Sequence, residues 1–231
     1  MRKLFVYLVM GILCACEVID EAERLIPVET ESQGNRTHVL IEYTGFRCVN
    51  CPTAAELANE LKQLYQEHLI VVSLHPASNP FTQGKYDYTC PAADSIYRWM
   101  GGTATTTFPA GNMDMKPYND EWFADMSAWS TMVYNAMKDT VLPSINEMEK
   151  SYWLIEDSVL GVQAMPDGSV NTQYYHRHVL RDVNANKAHL EIKDSFDSTQ
   201  LYILTLYLDP KDKHIVQAYE EKIISDFDLS D

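Results

Sequence analysis

Gly45-Phe46-Arg47-Cys48-Val49-Asn50-Cys51-Pro52 separates two segments of different periodicity and sets two cysteines with only two residues between them. Before it, at 38–44, Val39, Leu40, Ile41 and Tyr43 form a short β-branched, apolar run that predicts a strand ending at Gly45. After it, at 53–68, Ala55, Leu57, Ala58, Leu61, Leu64 and Tyr65 recur at helical spacing, with Glu56, Lys62 and Glu67 opposite. Cys48 is thus expected at a helix N-terminus beside Arg47, where the helix dipole and the guanidinium both favour the thiolate. Cys51 is expected about a turn into the helix. Cys48 is the predicted nucleophile and Cys51 the resolving thiol, which attacks a mixed disulfide at Cys48 and releases the partner.

A cysteine pair of this kind between a strand and a helix is the arrangement of a thioredoxin-type redox site. Half of a zinc site and a static structural disulfide are the alternatives. No second pair with ligand spacing accompanies it, and Cys90 stands alone. The helix-start position favours reactivity over a permanent staple.

The N-terminal 15 residues carry Arg2 and Lys3, an apolar run at 4–13 and small residues before Cys16, the pattern of a secretory signal that is too short to span a bilayer at about 20 residues. Leu13-Cys14-Ala15-Cys16 resembles a bacterial lipobox, in which Cys16 is acylated and becomes the mature N-terminus. Loss of Arg2 and Lys3 would take the formal net charge from −15 to −17. A field of that sign excludes nucleic acid as a natural partner. Glu17, Asp20 and Glu21 follow the lipidation site directly, like the export signal of some surface lipoproteins. In an oxidising compartment Cys90 is then the odd thiol, expected to be buried.

The chain's 231 residues, 46% of them hydrophobic, suffice for one ordinary domain and a smaller second unit. Residues 16–37 are polar and aperiodic, as in a tether. The run at 69–74 predicts a strand buried on both faces, completing a βαβ unit. Pro91 is expected to open a helix that Gly101-Gly102 ends, and Thr105-Thr106-Thr107 to form a strand leading into Phe108-Pro109. An apolar stripe from Trp122 to Met137 predicts a helix over 119–139. Beyond Tyr152 the pattern turns to strand formers at 152–163, 170–183, 188–192, 201–208 and 215–219, with turn chemistry at Pro166-Asp167-Gly168 and 209–213. His176 and His178 would share one strand face, but with no third ligand nearby a metal site is not expected. No cofactor is called for.

The run Val39-Leu40-Ile41-Glu42-Tyr43-Thr44-Gly45-Phe46-Arg47-Cys48-Val49-Asn50-Cys51-Pro52-Thr53-Ala54-Ala55 closely resembles the outer-membrane lipoproteins related to the twenty-eight-kilodalton outer membrane protein of certain Gram-negative anaerobes. Leu154-Ile155-Glu156-Asp157-Ser158-Val159-Leu160-Gly161-Val162-Gln163 and His176-Arg177-His178-Val179-Leu180-Arg181 look like that family's β-rich C-terminal part. The resemblance implies an α/β fold on a lipid anchor: a thioredoxin-like domain at 38–148, its mixed sheet flanked by helices, then a small antiparallel β-sandwich-like module at 152–231. From thioredoxin-like domains it also implies a cis Pro109 positioning a substrate strand, with Phe108 and Arg47 on the substrate surface. Glu42, six residues before Cys48, would be a buried acid that takes the proton of Cys51. The expected function is thiol-disulfide exchange on exported proteins or small disulfides, served by a thiol reductant; the alternative is a binding lipoprotein with a structural disulfide. The expected location is the outer membrane, reached through Cys16.

Overall fold

The computed structural model describes residues 36–86, 88–142 and 144–223. The expected signal segment, the lipidation site Cys16 and most of the expected tether lie outside the described residues. Among the described residues no helix is long and apolar enough to cross a membrane.

The chain is α/β with a large mixed sheet and few helices. Strands β1 (His38–Tyr43) and β2 (Leu69–Leu74) pair in parallel along their whole lengths, and every residue of both is buried. Such full burial is what a continuous apolar run demands, since both faces must be covered. Between them α1 (Cys51–Tyr65) makes the crossover, burying Ala54, Ala58, Leu61 and Tyr65 along one stripe. Helix α2 (Pro91–Trp99) opens on its proline, and Cys90 Sγ accepts the Ala93 N–H at its start (3.4 Å). Gly101 follows with φ +86°, a conformation that suits glycine where the helix stops.

Beyond α2 the sequence reading needs correction. The threonine run at 105–107 is not a strand: Thr103, Thr105 and Thr106 bond one another through their hydroxyls and backbone. Strand β3 (Ala110–Met113) begins only after Pro109 and runs antiparallel to β1, with the short β4 (Ala124–Asp125) outside it. Helix α3 spans Trp129–Ala136, not 119–139, because Asn119 and Asp120 adopt positive φ and 124–125 is drawn into the sheet. Asp125 then caps the short turn before α3 by accepting the Ser127 N–H (2.9 Å).

The remaining strands are β5 (Glu149–Glu156), β6 (Val159–Ala164), β7 (Val170–His176), β8 (Val179–Asn184), β9 (Leu201–Leu208) and β10 (Ile215–Lys222). The two long strands expected at 152–163 and 170–183 each break, at Ser158 and His178, both with positive φ. Residues 188–192 form no strand; 187–189 is a single 3₁₀ turn. His176 ends β7 whereas His178 lies in the turn beyond it, so the two do not share a strand face.

The expected separate sandwich-like module is not formed. Four of its strands extend the first sheet, in the order β10-β9-β5-β8-β2-β1-β3-β4. They also fold over it. One apolar core joins Val39, Ile41, Val72 and Leu74 to Trp153, Ile155, Leu180, Leu204, Leu206 and Ile215, with Tyr97 of α2. A second core lies on the opposite face, where Leu40 and Val71 meet α1 and the Trp129, Met132 and Val133 stripe of α3. The fold-over explains why both faces of β1 and β2 are apolar although only α1 and α3 cover one side. Strands β6 and β7 stand apart as a two-stranded ribbon between β5 and β8.

Candidate functional site

Cys48 and Cys51 are joined as a disulfide in the loop between β1 and α1, with Cα atoms 5.4 Å apart. The helix begins at Cys51, so Cys51 occupies the N-terminal position expected for Cys48, and Cys48 lies in the turn before it. Pro52 accounts for the later start: it fits the first helical turn, where its missing N–H costs nothing. The loop is braced by Cys48 N–H to the Gly45 carbonyl (3.0 Å) and Arg47 N–H to the Phe81 carbonyl (3.0 Å). Gly45 has no room for a side chain, since a Cβ there would overlap the Phe81 carbonyl. Arg47 is exposed, and its guanidinium donates to the Gln83 carbonyl (3.2 Å). It ties down the 81–83 loop.

Both cysteines are buried, at 1% and 2% exposure. What covers them comes from segments distant in sequence. Phe108 shares their core cluster and packs beside Phe81 and Tyr97. The peptide bond from Phe108 to the half-buried Pro109 is cis. From the ribbon, Gln163 Nε2 donates to the Cys48 carbonyl (2.8 Å), Ala164 N–H to the Phe46 carbonyl (2.8 Å), and Val162 N–H to the Tyr88 hydroxyl (2.8 Å).

Beneath the disulfide, at the carboxyl ends of β1 and β2, Cys51 borders a cavity of about 10 Å³ that Glu42, Thr44, Ser73, His75, Gln163 and His176 also line. Glu42 is buried, and the loss of hydration raises its pKa from 4.5 to about 7. Ser73 Oγ donates to its Oε2 (3.0 Å), which only partly offsets that rise. His75 is equally buried and makes no side-chain hydrogen bond through either ring nitrogen; Glu42 Oε1 is likewise without a partner. Burial, with smaller contributions from His176 and Arg181, holds the His75 pKa well below its ordinary value. His176 donates through Nε2 to the Val162 carbonyl (3.2 Å), and burial lowers its pKa to about 4. Tyr174, raised to about 12 by burial and then by Glu42, closes the rim with Arg177. The cavity can hold about one water, and its lining offers polar partners for one.

The structure therefore sets Glu42 beside Cys51 at one cavity and Phe108 in the core cluster of both cysteines, and directs Arg47 to the 81–83 loop. Ser73, His75, Tyr88 and Gln163 were not picked out in the sequence, and His176 was weighed there only as a metal ligand. Only His75 carried a local signal, as the polar residue that halts the run at 69–74. Cys90 is free and buried, and burial raises its thiol pKa. Among the described residues the group with metal-like spacing is Asp209, Asp212 and His214 in the β9–β10 turn. Its carboxylates accept backbone N–H groups of that turn, from Lys211 and His214.

No family model matches the chain, and no curated protein does. Solved structures do. HBP35 of Porphyromonas gingivalis superimposes with a TM-score of 0.60 at 12% identity, over 83% of this chain and 76% of that one. A protein of Agrobacterium tumefaciens known from its crystal structure superimposes with a TM-score of 0.50, also at 12% identity, over 84% of this chain and 97% of that one. At such identity the likeness is one of fold. The resemblance to the twenty-eight-kilodalton outer-membrane protein family finds no support at the level of sequence.

Proposed function

We propose that the chain is a thioredoxin-like thiol-disulfide exchange protein of the cell envelope, held to the outer membrane through a lipid on Cys16. The observation that carries the exchange chemistry is the shared cavity: a strand-loop-helix disulfide whose second cysteine borders a buried carboxyl with a pKa of about 7. The lipid anchor and the envelope rest on the N-terminal sequence pattern alone.

In the reducing direction the Cys48 thiolate attacks a substrate disulfide and one substrate sulfur leaves as a thiolate. The Cys51 thiol then gives its proton to the Glu42 carboxylate and attacks Cys48 Sγ. The second substrate sulfur departs and the protein is left as the disulfide. Two electrons have moved to the substrate, and a thiol reductant must return them. A carboxyl with a pKa near 7 is half ionised at neutral pH, so it can both take and give this proton. Phe108 and Pro109 are the residues we assign to substrate docking.

The burial of both cysteines favours a second reading, a scaffold whose disulfide is a permanent staple. The test uses a soluble form starting after Cys16, comparing wild type with Cys48→Ser in catalysing reduction of a model protein disulfide by a small thiol. Catalysis lost in the variant supports exchange. An inert wild type whose pair also resists glutathione buffers, as structural disulfides do below about −300 mV, supports the staple.

A further inference from the structure

The cover over the disulfide is made by one extended strand of the chain itself. Three consecutive residues of β6 supply its bonds: Val162 N–H to the Tyr88 hydroxyl, the Gln163 amide to the Cys48 carbonyl, and Ala164 N–H to the Phe46 carbonyl, each 2.8 Å. Two of the acceptors are main-chain carbonyls of the loop that holds the disulfide. The ribbon is paired with no strand of the large sheet, and its Leu160, Val170 and Tyr175 side chains are more than half exposed. It sits tight against Tyr88, for a Cβ at Gly161 would overlap that hydroxyl. Its underside meets polar groups, two of which, Glu42 and His75, retain unpartnered atoms.

We propose that β6 stands in for the extended backbone of a polypeptide partner, which reaches Cys48 by displacing the β6–β7 ribbon and taking over its bonds to the Phe46 and Cys48 carbonyls. The proposal rests on the exchange reading and gives that reading its substrate class. A polypeptide strand can supply both donors as β6 does, a backbone N–H for the Phe46 carbonyl and an amide N–H for the Cys48 carbonyl, as in other strand-addition complexes. A small disulfide without amide groups, such as oxidised dithiothreitol, would leave both carbonyls without partners. In the oxidising direction, with the ribbon displaced, the partner thiolate attacks Cys48 Sγ, the bond to Cys51 breaks, and Cys51 leaves as a thiolate that takes the proton of Glu42; the mixed disulfide at Cys48 is the one the reducing direction also passes through. The reverse sequence closes the site.

The test is made on the soluble oxidised protein. Amide hydrogen exchange at Val162 and Ala164 is expected to be at least about a hundredfold faster than at Val71 and Val72, reporting local opening of the ribbon. Reduction of the protein's own disulfide by dithiothreitol is expected to be about tenfold faster in Gln163→Ala, which removes the side-chain bond to Cys48. An unstructured eight-residue peptide with one cysteine should gain less, so that the ratio of peptide to dithiothreitol rates falls. Gly161→Ala, which loosens the ribbon by crowding Tyr88 and touches neither cysteine, should act in the same direction. Ribbon amides protected as strongly as those of β2, or reduction rates unchanged in both variants, would overturn the proposal. Because the protein's own disulfide is the readout, a protein that opens in this way but turns over no substrate loses the exchange reading and keeps the ribbon as a cover.

Discussion

The β1–β2 pair is built differently on its helical face and at its carboxyl end. On the face under α1 and α3, Leu40 and Val71 meet Ala54, Ala58, Leu61, Trp129, Met132 and Val133, an apolar layer closed to water. At the carboxyl end Glu42, Ser73 and His75 are just as buried, yet a carboxyl oxygen and two ring nitrogens go without partners. The first arrangement lowers the free energy of the fold. The second contributes less, since buried polar groups gain only when a side chain, or the water this cavity can hold, replaces their lost hydration. The difference teaches that the same two strands carry their apolar packing and their polar, titratable groups at different places.

The sharpest way to break this contrast is Cys48→Ser. Exchange should fall to the uncatalysed rate while the fold persists, measured as reduction of a model protein disulfide alongside circular dichroism; a variant as active as wild type removes the chemistry from this end. Next, Trp129→Ala should lower stability by about 3 to 5 kcal/mol in urea unfolding, because it empties a fully buried site in the apolar layer. Reduction of the disulfide in the native variant should be unaffected, and a change there would show the two ends to be coupled.

Glu42→Gln sharpens the comparison through pH. The folded pKa of Glu42 is raised, so its folded form holds a proton that the unfolded chain releases above about 4.5. Its contribution is therefore fully present below 4.5 and is lost as pH rises through about 7, amounting to ~3 kcal/mol. Relative to wild type, the glutamine variant should gain stability by that amount between pH 4 and 8. His176 acts with the opposite sign, contributing fully above 6.5 and losing its contribution as pH falls to about 4. It is common to both proteins and cancels in the difference. A difference independent of pH would mean that Glu42 titrates normally. The smallest effect expected is on stability in Gln163→Ala, about 1 to 2 kcal/mol by urea unfolding for the loss of its amide bonds to the Cys48 and Ala164 carbonyls.

Much of the first half was legible because its signals are local. Residues 38–44 and 69–74 read as strands, 53–68 as a helix and Pro91 as a helix start, and each lies within three residues of the observed element. Strand β9 has the boundaries that period two predicted. The reading failed where neighbours distant in sequence override local preference. Residues 124–125 leave a helical pattern to pair with β3, and Thr105 and Thr106 bond Thr103 in a loop. The β-rich second half was recognised, but its addition to the first sheet was not, because sheet order follows from which faces are covered and no single strand records that. The same holds for the site. Cys48, Cys51 and Glu42 share one short stretch, whereas Gln163 reaches the Cys48 carbonyl from 115 positions away.

The sheet is continuous across its middle through one register pair, Ser73 with Val179, where Ser73 N–H donates to the His178 carbonyl (2.8 Å). The two halves also meet through the shared core and through Ile215 N–H, which donates to the Asp114 carbonyl (2.8 Å), so the junction is narrow in the sheet but not in the packing. Ser73 is also the residue whose hydroxyl holds Glu42, and the ribbon leaves the sheet from the strands on the far side of the same junction. One residue, Ser73, therefore both joins the two halves of the sheet and holds the carboxyl beside the disulfide, so a substitution there would be felt in strand pairing and in the cavity alike.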